Sequence, residues 1–147
     1  MKCLISGHRL FKLQNYELGW IKNAIDDTIL NNMSLISYGY SGMASGVDLW
    51  FCSTCLGLDI PYCACIPFEE QNETMDEVEQ KFRQYCIDNA AQVIRMKNSL
   101  MVEKADIGIV VWDGNKGGTH NVLQQMVERK KPFFWINPVS KKVYDCL

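Results

Sequence analysis

Three short stretches carry the residues whose types and spacing could do chemistry. They are Ser6-Gly7-His8-Arg9, then Ser41-Gly42-Met43-Ala44-Ser45-Gly46-Val47-Asp48, then Asp113-Gly114-Asn115-Lys116-Gly117-Gly118-Thr119-His120-Asn121. Each is rich in small residues, contains glycine and follows an apolar run. The second and third lead directly into helical patterns. A helix N-terminus offers unpaired N–H groups and partial positive charge. Small residues before it let the backbone approach an anion closely, and phosphate is the common guest. Tight turns also need glycine, so one such loop says little. Two at strand–helix junctions of one sheet point to a phosphate-bearing ligand. Neither loop has the spacing of a nucleotide fingerprint. Gly42-x-x-x-Gly46 is not G-x-G-x-x-G, and no G-K-[ST] occurs, which disfavours ATP hydrolysis of the Walker type.

In this reading Gly117, Gly118 and Thr119 hold a phosphate through backbone N–H groups and a hydroxyl, with Asn121 beside them. Ser41, Gly42, Met43 and Gly46 belong to the second wall, and Gly7, His8 and Arg9 to the first loop. Arg9 is a natural charge partner for phosphate, although most arginines are simply exposed. His8 could orient a base or a phosphate. Asp48 lies in the first turn of its helix. There it either complements the dipole or accepts a hydrogen bond from a ribose or base. Asn98 either contacts the ligand or caps the short helix after it. Asp113 either meets ribose hydroxyls or starts a turn. Trp112 reads as core and His120 as surface. No residue is assigned a catalytic role, and neither a cofactor nor a metal is expected.

These loops need strands and helices to place them. Lys2–Ser6 reads as a first strand, and 16–30 as a helix with apolar residues at Leu18, Ile21, Ala24, Ile25 and Ile29. Residues 34–37 read as a short second strand. A helix follows over 46–56, closed by Gly57 as C-cap, and then a strand over 60–66. A charged helix spans 74–91, with Thr74 and Glu77 as a capping box. Further elements are a small strand over 92–95, a short helix over 99–105 and a strand over 107–112. That last strand is the most apolar in the chain and is expected to be central. A helix over 119–129, a strand over 132–136 and an edge strand over 142–144 complete the chain. Alternating strands and helices imply an α/β domain, a mostly parallel sheet with helices on both faces and right-handed crossovers.

The totals narrow the function classes. The chain has 147 residues and is expected to form a single domain over 1–147. Its net charge of −2 argues against capture of nucleic acid by bulk charge. No apolar run reaches the length of a membrane span, and the N-terminus turns polar too early for a signal peptide. The seven cysteines suit a reducing cytoplasm and core packing. Cys52-x-x-Cys55 followed by Cys63-x-Cys65 has metal-ligand spacing. However, the first pair sits in a helical pattern and the second on a strand, so packing is the reading taken.

Taken together, the motifs resemble the SLOG superfamily and within it the YspA/YpsA-like group (DUF1273). That group is similar in turn to the Rossmann-like domain of DNA-processing protein A. The resemblance rests on the three stretches above, on Ile66-Pro67-Phe68-Glu69-Glu70-Gln71, and on Asn98 with Met101-Val102 and Ala105-Asp106. These fall in series from residue 1 to about 138, with Trp112 and Asn121 included. It implies a single Rossmann-like domain whose glycine-rich loops bind a nucleotide or nucleotide-derived small molecule, as a sensor or sequestering protein. It also implies a homo-oligomer, commonly a homodimer involving the helix after Gly117-Gly118-Thr119. The related "Lonely guy" phosphoribohydrolases cleave the N-glycosidic bond of nucleoside monophosphates and carry P-G-G-x-G-T-x-x-E. Here Val122 stands where the glutamate belongs, and an amide at Asn121 cannot serve as a base. Glu69, Glu70, Asp48 and Asp113 remain as carboxylates that could replace it. Ligand binding is therefore the leading expectation. A nucleotide N-glycosidase is the alternative, and single-stranded DNA binding a third reading, disfavoured by the acidic balance.

Overall fold

The computed structural model describes residues 1–67 and 75–146. Among these residues the elements are, in chain order, β1 Lys2–Gly7, α1 Leu10–Leu13, α2 Leu18–Asn31, β2 Tyr38–Ser41, α3 Val47–Gly57, β3 Tyr62–Ile66, α4 Glu77–Asp88, β4 Gln92–Arg95, α5 Asn98–Lys104, β5 Ile107–Val111, α6 Gly118–Glu128, β6 Phe133–Asn137 and β7 Lys142–Cys146. The strands form one sheet in the order β4-β3-β2-β1-β5-β6-β7. All pairings are parallel except β6 with β7, which form an antiparallel hairpin. The order runs outward from β1 in one direction and from β5 in the other. The β1–β5 seam is therefore the topological switch point of the sheet.

Strand alternation builds two cores. On one face Cys3 and Ile5 of β1 and Ile107, Ile109 and Val111 of β5 pack with Ile21, Ile25 and Ile29 of α2 and with Val47, Phe51 and Cys55 of α3. On the other face Leu4 and Val110 pack with Met101 and Val102 of α5 and with Val122 and Met126 of α6. Every residue of β5 is buried, as a central strand covered on both sides must be. The same alternation separates the cysteines. Cys52 and Cys55 lie in the first core, and Cys63 and Cys65 in the second, on the opposite face of the sheet. Six of the seven cysteines are buried. Among the described residues no cluster of three or more His, Cys, Asp or Glu could hold a metal ion. Among the described residues no helix is long and apolar enough to cross a membrane.

The sequence expectations need four corrections. The second strand is 38–41, not 34–37. Leu35 and Ile36 donate backbone N–H groups to Asn32 O and prolong the turn after α2, so pairing with β1 starts at Tyr38. Gly39 hid this strand. It is glycine because a Cβ there would stand 2.7 Å from the Phe51 ring of α3. Gly57 is the last residue of α3 rather than its cap; Leu58 is the C-cap, and Asp59 takes the left-handed turn at φ 56°. The N-cap of α4 is Asp76, whose Oδ1 accepts from Glu79 N at 2.7 Å, and Thr74 lies outside the described residues. Finally, the short α1 between the first loop and α2 was not anticipated.

Candidate functional site

A cavity of about 420 Å³ opens at the carboxyl ends of β1, β2 and β3, beside the N-termini of α5 and α6. That volume falls within the range of small-molecule sites, about 300–1,000 Å³. The position follows from topology, since α6 leaves β5 and lies across the switch point from β1. Ile5, Cys65, Met96 and Met101 form buried apolar parts of the lining. At the opposite end of the sheet a wider apolar groove of about 620 Å³ is lined by Met1, Leu35, Val127 and Phe133, with none of the candidate residues.

The two glycine-rich helix openings reach the same cavity but differ in state. Gly118 and Thr119 of α6 line it, with Thr119 buried and Gly118 exposed. Gly117 is the N-cap, and among the described residues no side-chain hydrogen bond caps this helix. Its first-turn N–H groups are thus the ones available to an anion. Asn121, two residues after Thr119, is exposed and does not line the cavity.

The α3 opening is engaged by the protein's own carboxylates. Gly46 N donates to Glu79 Oε2 of α4 at 3.3 Å. Burial raises the Glu79 carboxyl from its ordinary value, with the Gly46 N–H acting in the opposite direction. Asp48 Oδ2 accepts from Ala44 N at 3.2 Å. Ser41 Oγ donates to Asp48 O at 3.0 Å and accepts from Met43 N at 3.3 Å, which closes the loop on itself. Gly42 and Asp48 line the cavity, whereas Ser41, Met43 and Gly46 lie behind it. Met43 is fully buried in the core, and its carbonyl accepts from Arg83 Nε at 3.1 Å. Gly46 turns through φ 81°, a region that favours glycine, with its Cα against the Leu10 backbone. Gly42 leaves room for Asp48, because a Cβ there would stand 3.0 Å from Asp48 Oδ2. Asp48 is only 8% exposed. Burial pushes its carboxyl up to about 7, and the Ala44 N–H and the Arg9 charge offset this only in part.

His8 and Asp113 are 105 residues apart in sequence and meet across the β1–β5 seam. His8 Nε2 stands 3.0 Å from Asp113 Oδ1, with both side chains nearly buried. Asp113 Oδ1 also accepts from Asn115 N at 3.0 Å, and Oδ2 accepts from Tyr16 OH at 3.1 Å. Burial alone would raise the Asp113 carboxyl; the Asn115 N–H, the His8 charge and the Tyr16 hydroxyl outweigh it and lower it. Asp113 N lies 3.3 Å from the same Nε2. Both contacts fall on Nε2 and tie the ring to Asp113. Asp113 thus holds His8 rather than lining the cavity, while His8 lines it. Tyr16 was not singled out in the sequence, since nothing local links it to either partner.

The rim completes the site. Arg9, Phe11 and Lys12 come from the loop after β1 and from α1. Leu10 N donates to Ser45 Oγ at 3.1 Å, which ties α1 to the 41–46 loop. Gly7 lines the cavity too, and it is glycine because a Cβ would lie 2.6 Å from Val47 Cγ1 of α3. Asn98 lines the cavity as the first residue of α5. It does not cap that helix, whose N-cap is Lys97. Trp112 is half-buried, stacks on His120 at 5.2 Å and donates from Nε1 to Asn115 O at 2.6 Å, anchoring the 113–117 loop. Glu69 and Glu70, two of the carboxylates considered above, lie outside the described residues.

No protein-family model matches the chain, and no curated protein matches it. Among solved structures, the X-ray structure of TM1055, a structural genomics target, matches with a TM-score of 0.55 and 12% sequence identity. The match covers 90% of this chain and 71% of that one. At that identity the likeness speaks to architecture alone: the chain has a Rossmann-like α/β fold built on a mostly parallel seven-stranded sheet.

Proposed function

We propose that this protein binds a nucleotide or nucleotide-derived small molecule at the carboxyl edge of its sheet, as a sensor or sequestering protein of the SLOG, YspA/YpsA-like kind. The phosphate sits at the N-terminus of α6, with Arg9 as its charge partner. The ligand's hydroxyl or base donors face Asp48 and His8. One observation carries this reading: the uncapped α6 opening, Arg9 and two nearly buried polar side chains, Asp48 and His8, converge on a single cavity. Mass spectrometry of small molecules released by heating the purified protein is expected to show a phosphorylated nucleoside derivative. Calorimetric titration with a panel of nucleoside phosphates should show saturable binding, weakened about tenfold by Arg9→Ala, the loss expected for one charged hydrogen bond. A protein that releases no such compound and binds none of the panel defeats the reading.

A second reading, nucleotide N-glycoside hydrolysis, is favoured by Asp48 alone. Its carboxyl is buried, lines the cavity and titrates near neutrality, as a general acid or base requires. Val122, at the position of the missing glutamate, is packed in the core beneath α6. Chromatography after incubation with nucleoside monophosphates decides between the readings. Free base released by the wild type and not by Asp48→Asn supports hydrolysis; binding without release leaves the first reading.

A further inference from the structure

We propose that Phe11 is the platform on which the ligand's planar base stacks, so that the site selects base-bearing nucleotides over sugar phosphates; this rests on the nucleotide-binding reading above. Phe11 is 60% exposed, more than any other aromatic side chain among the described residues. It belongs to neither core. Among the described residues its ring makes no aromatic contact, and Lys12 Nζ, 6.0 Å from its centroid, is at the outer reach of a cation–π interaction. Yet Phe11 is among the residues that line the cavity.

The ring's position is held from both sides. Leu13, two residues on, is fully buried in the first core, and Leu10 N is bonded to Ser45 Oγ. Tyr16, just beyond α1, donates its hydroxyl to Asp113. The helix therefore presents Phe11 at a fixed place without needing it for packing. The surrounding rim is polar, with Ser6, Arg9, Lys12 and Asn98. A sugar phosphate would satisfy those groups and leave the ring in water. A nucleotide covers it as well, because every base offers a π-face to an aromatic side chain. The neighbouring cations then meet the phosphate that the same ligand carries.

Calorimetric titrations with AMP, GMP, CMP, UMP and ribose 5-phosphate, on the wild type, Phe11→Ala and Phe11→Tyr, test this. At least one nucleotide is expected to bind the wild type about tenfold tighter than ribose 5-phosphate, the scale of one stacking contact. Phe11→Ala should remove that advantage and leave ribose 5-phosphate binding unchanged, and Phe11→Tyr should keep it. Equal binding of nucleotides and ribose 5-phosphate by the wild type overturns the stacking role while leaving the anion site standing. So does a Phe11→Ala variant that keeps the nucleotide advantage or loses both ligands alike. If neither class of compound binds, the nucleotide-binding reading falls and this inference falls with it. Phe11 lies outside both cores, so unchanged thermal melting of Phe11→Ala should separate lost contact from lost fold.

Discussion

Asp48 is held in a setting that favours its neutral form, and that has a consequence for stability. In the unfolded chain its carboxyl titrates near 3.8, and in the fold near 7. Between these values the native state binds more protons than the unfolded state, so stability falls as pH rises from about 4 to about 7 and then levels. The full shift corresponds to a loss on the order of 4 kcal/mol. Asp48→Asn keeps an acceptor for the Ala44 N–H and removes the charge. Urea unfolding at pH 5 and pH 8 is expected to show a smaller drop for Asp48→Asn than for the wild type, with the variant the more stable at pH 8. An equal drop in both proteins would place the pH dependence elsewhere. Carboxyls perturbed in this way cluster at functional sites. The carboxylate partner of His8 is fixed by two further groups, the Tyr16 hydroxyl and the Asn115 N–H, so the ring is held in place by the protein itself.

Two helices with similar glycine-rich entries serve different ends. The entry to α3 is closed by Glu79 and by its own Asp48, and among the described residues α6 has no side-chain cap. The sequence made them look alike because both have small residues followed by an apolar helix; Glu79 arrives from α4, 33 residues away. Gly7 couples β1 to α3. Its Cα hydrogens face the first residue of that helix, leaving no room for a methyl group. Gly7→Ala is expected to cost about 1–3 kcal/mol of stability by forcing β1 and α3 apart. Pairing it with Val47→Ala should return part of that loss, a coupling that a double-mutant cycle in urea measures. Strict additivity of the two substitutions would show that the clash is not what holds Gly7 in place. The ends of α5 and α6 are joined in a different way: Lys131 Nζ donates to Val102 O, Glu103 O and Ala105 O, each at 2.7 Å, and so satisfies carbonyls at the end of α5.

At the scale of the molecule, the strand–helix alternation was legible because its signals are local. Ile21, Ile25 and Ile29 announce α2 through their spacing, and the unbroken apolar run of β5 announces a central strand. The strand at Tyr38-Gly39-Tyr40-Ser41 was not legible, because its glycine answers to a helix packed across it rather than to its neighbours in sequence. The short α1 escaped for a related reason. Four residues give too little periodicity to read, and the helix is secured by bonds to distant loops. The sequence by itself determined the alternation of strands with the longer helices, the two-sided core and the small residues at strand ends, since those follow from periods of two and 3.6 and from backbone sterics. Only the tertiary structure decided which ends share a cavity, which helix entry stays open, and that His8, Tyr16 and Asp113 meet. Those depend on β1 lying beside β5, a pairing set by packing between residues about a hundred positions apart.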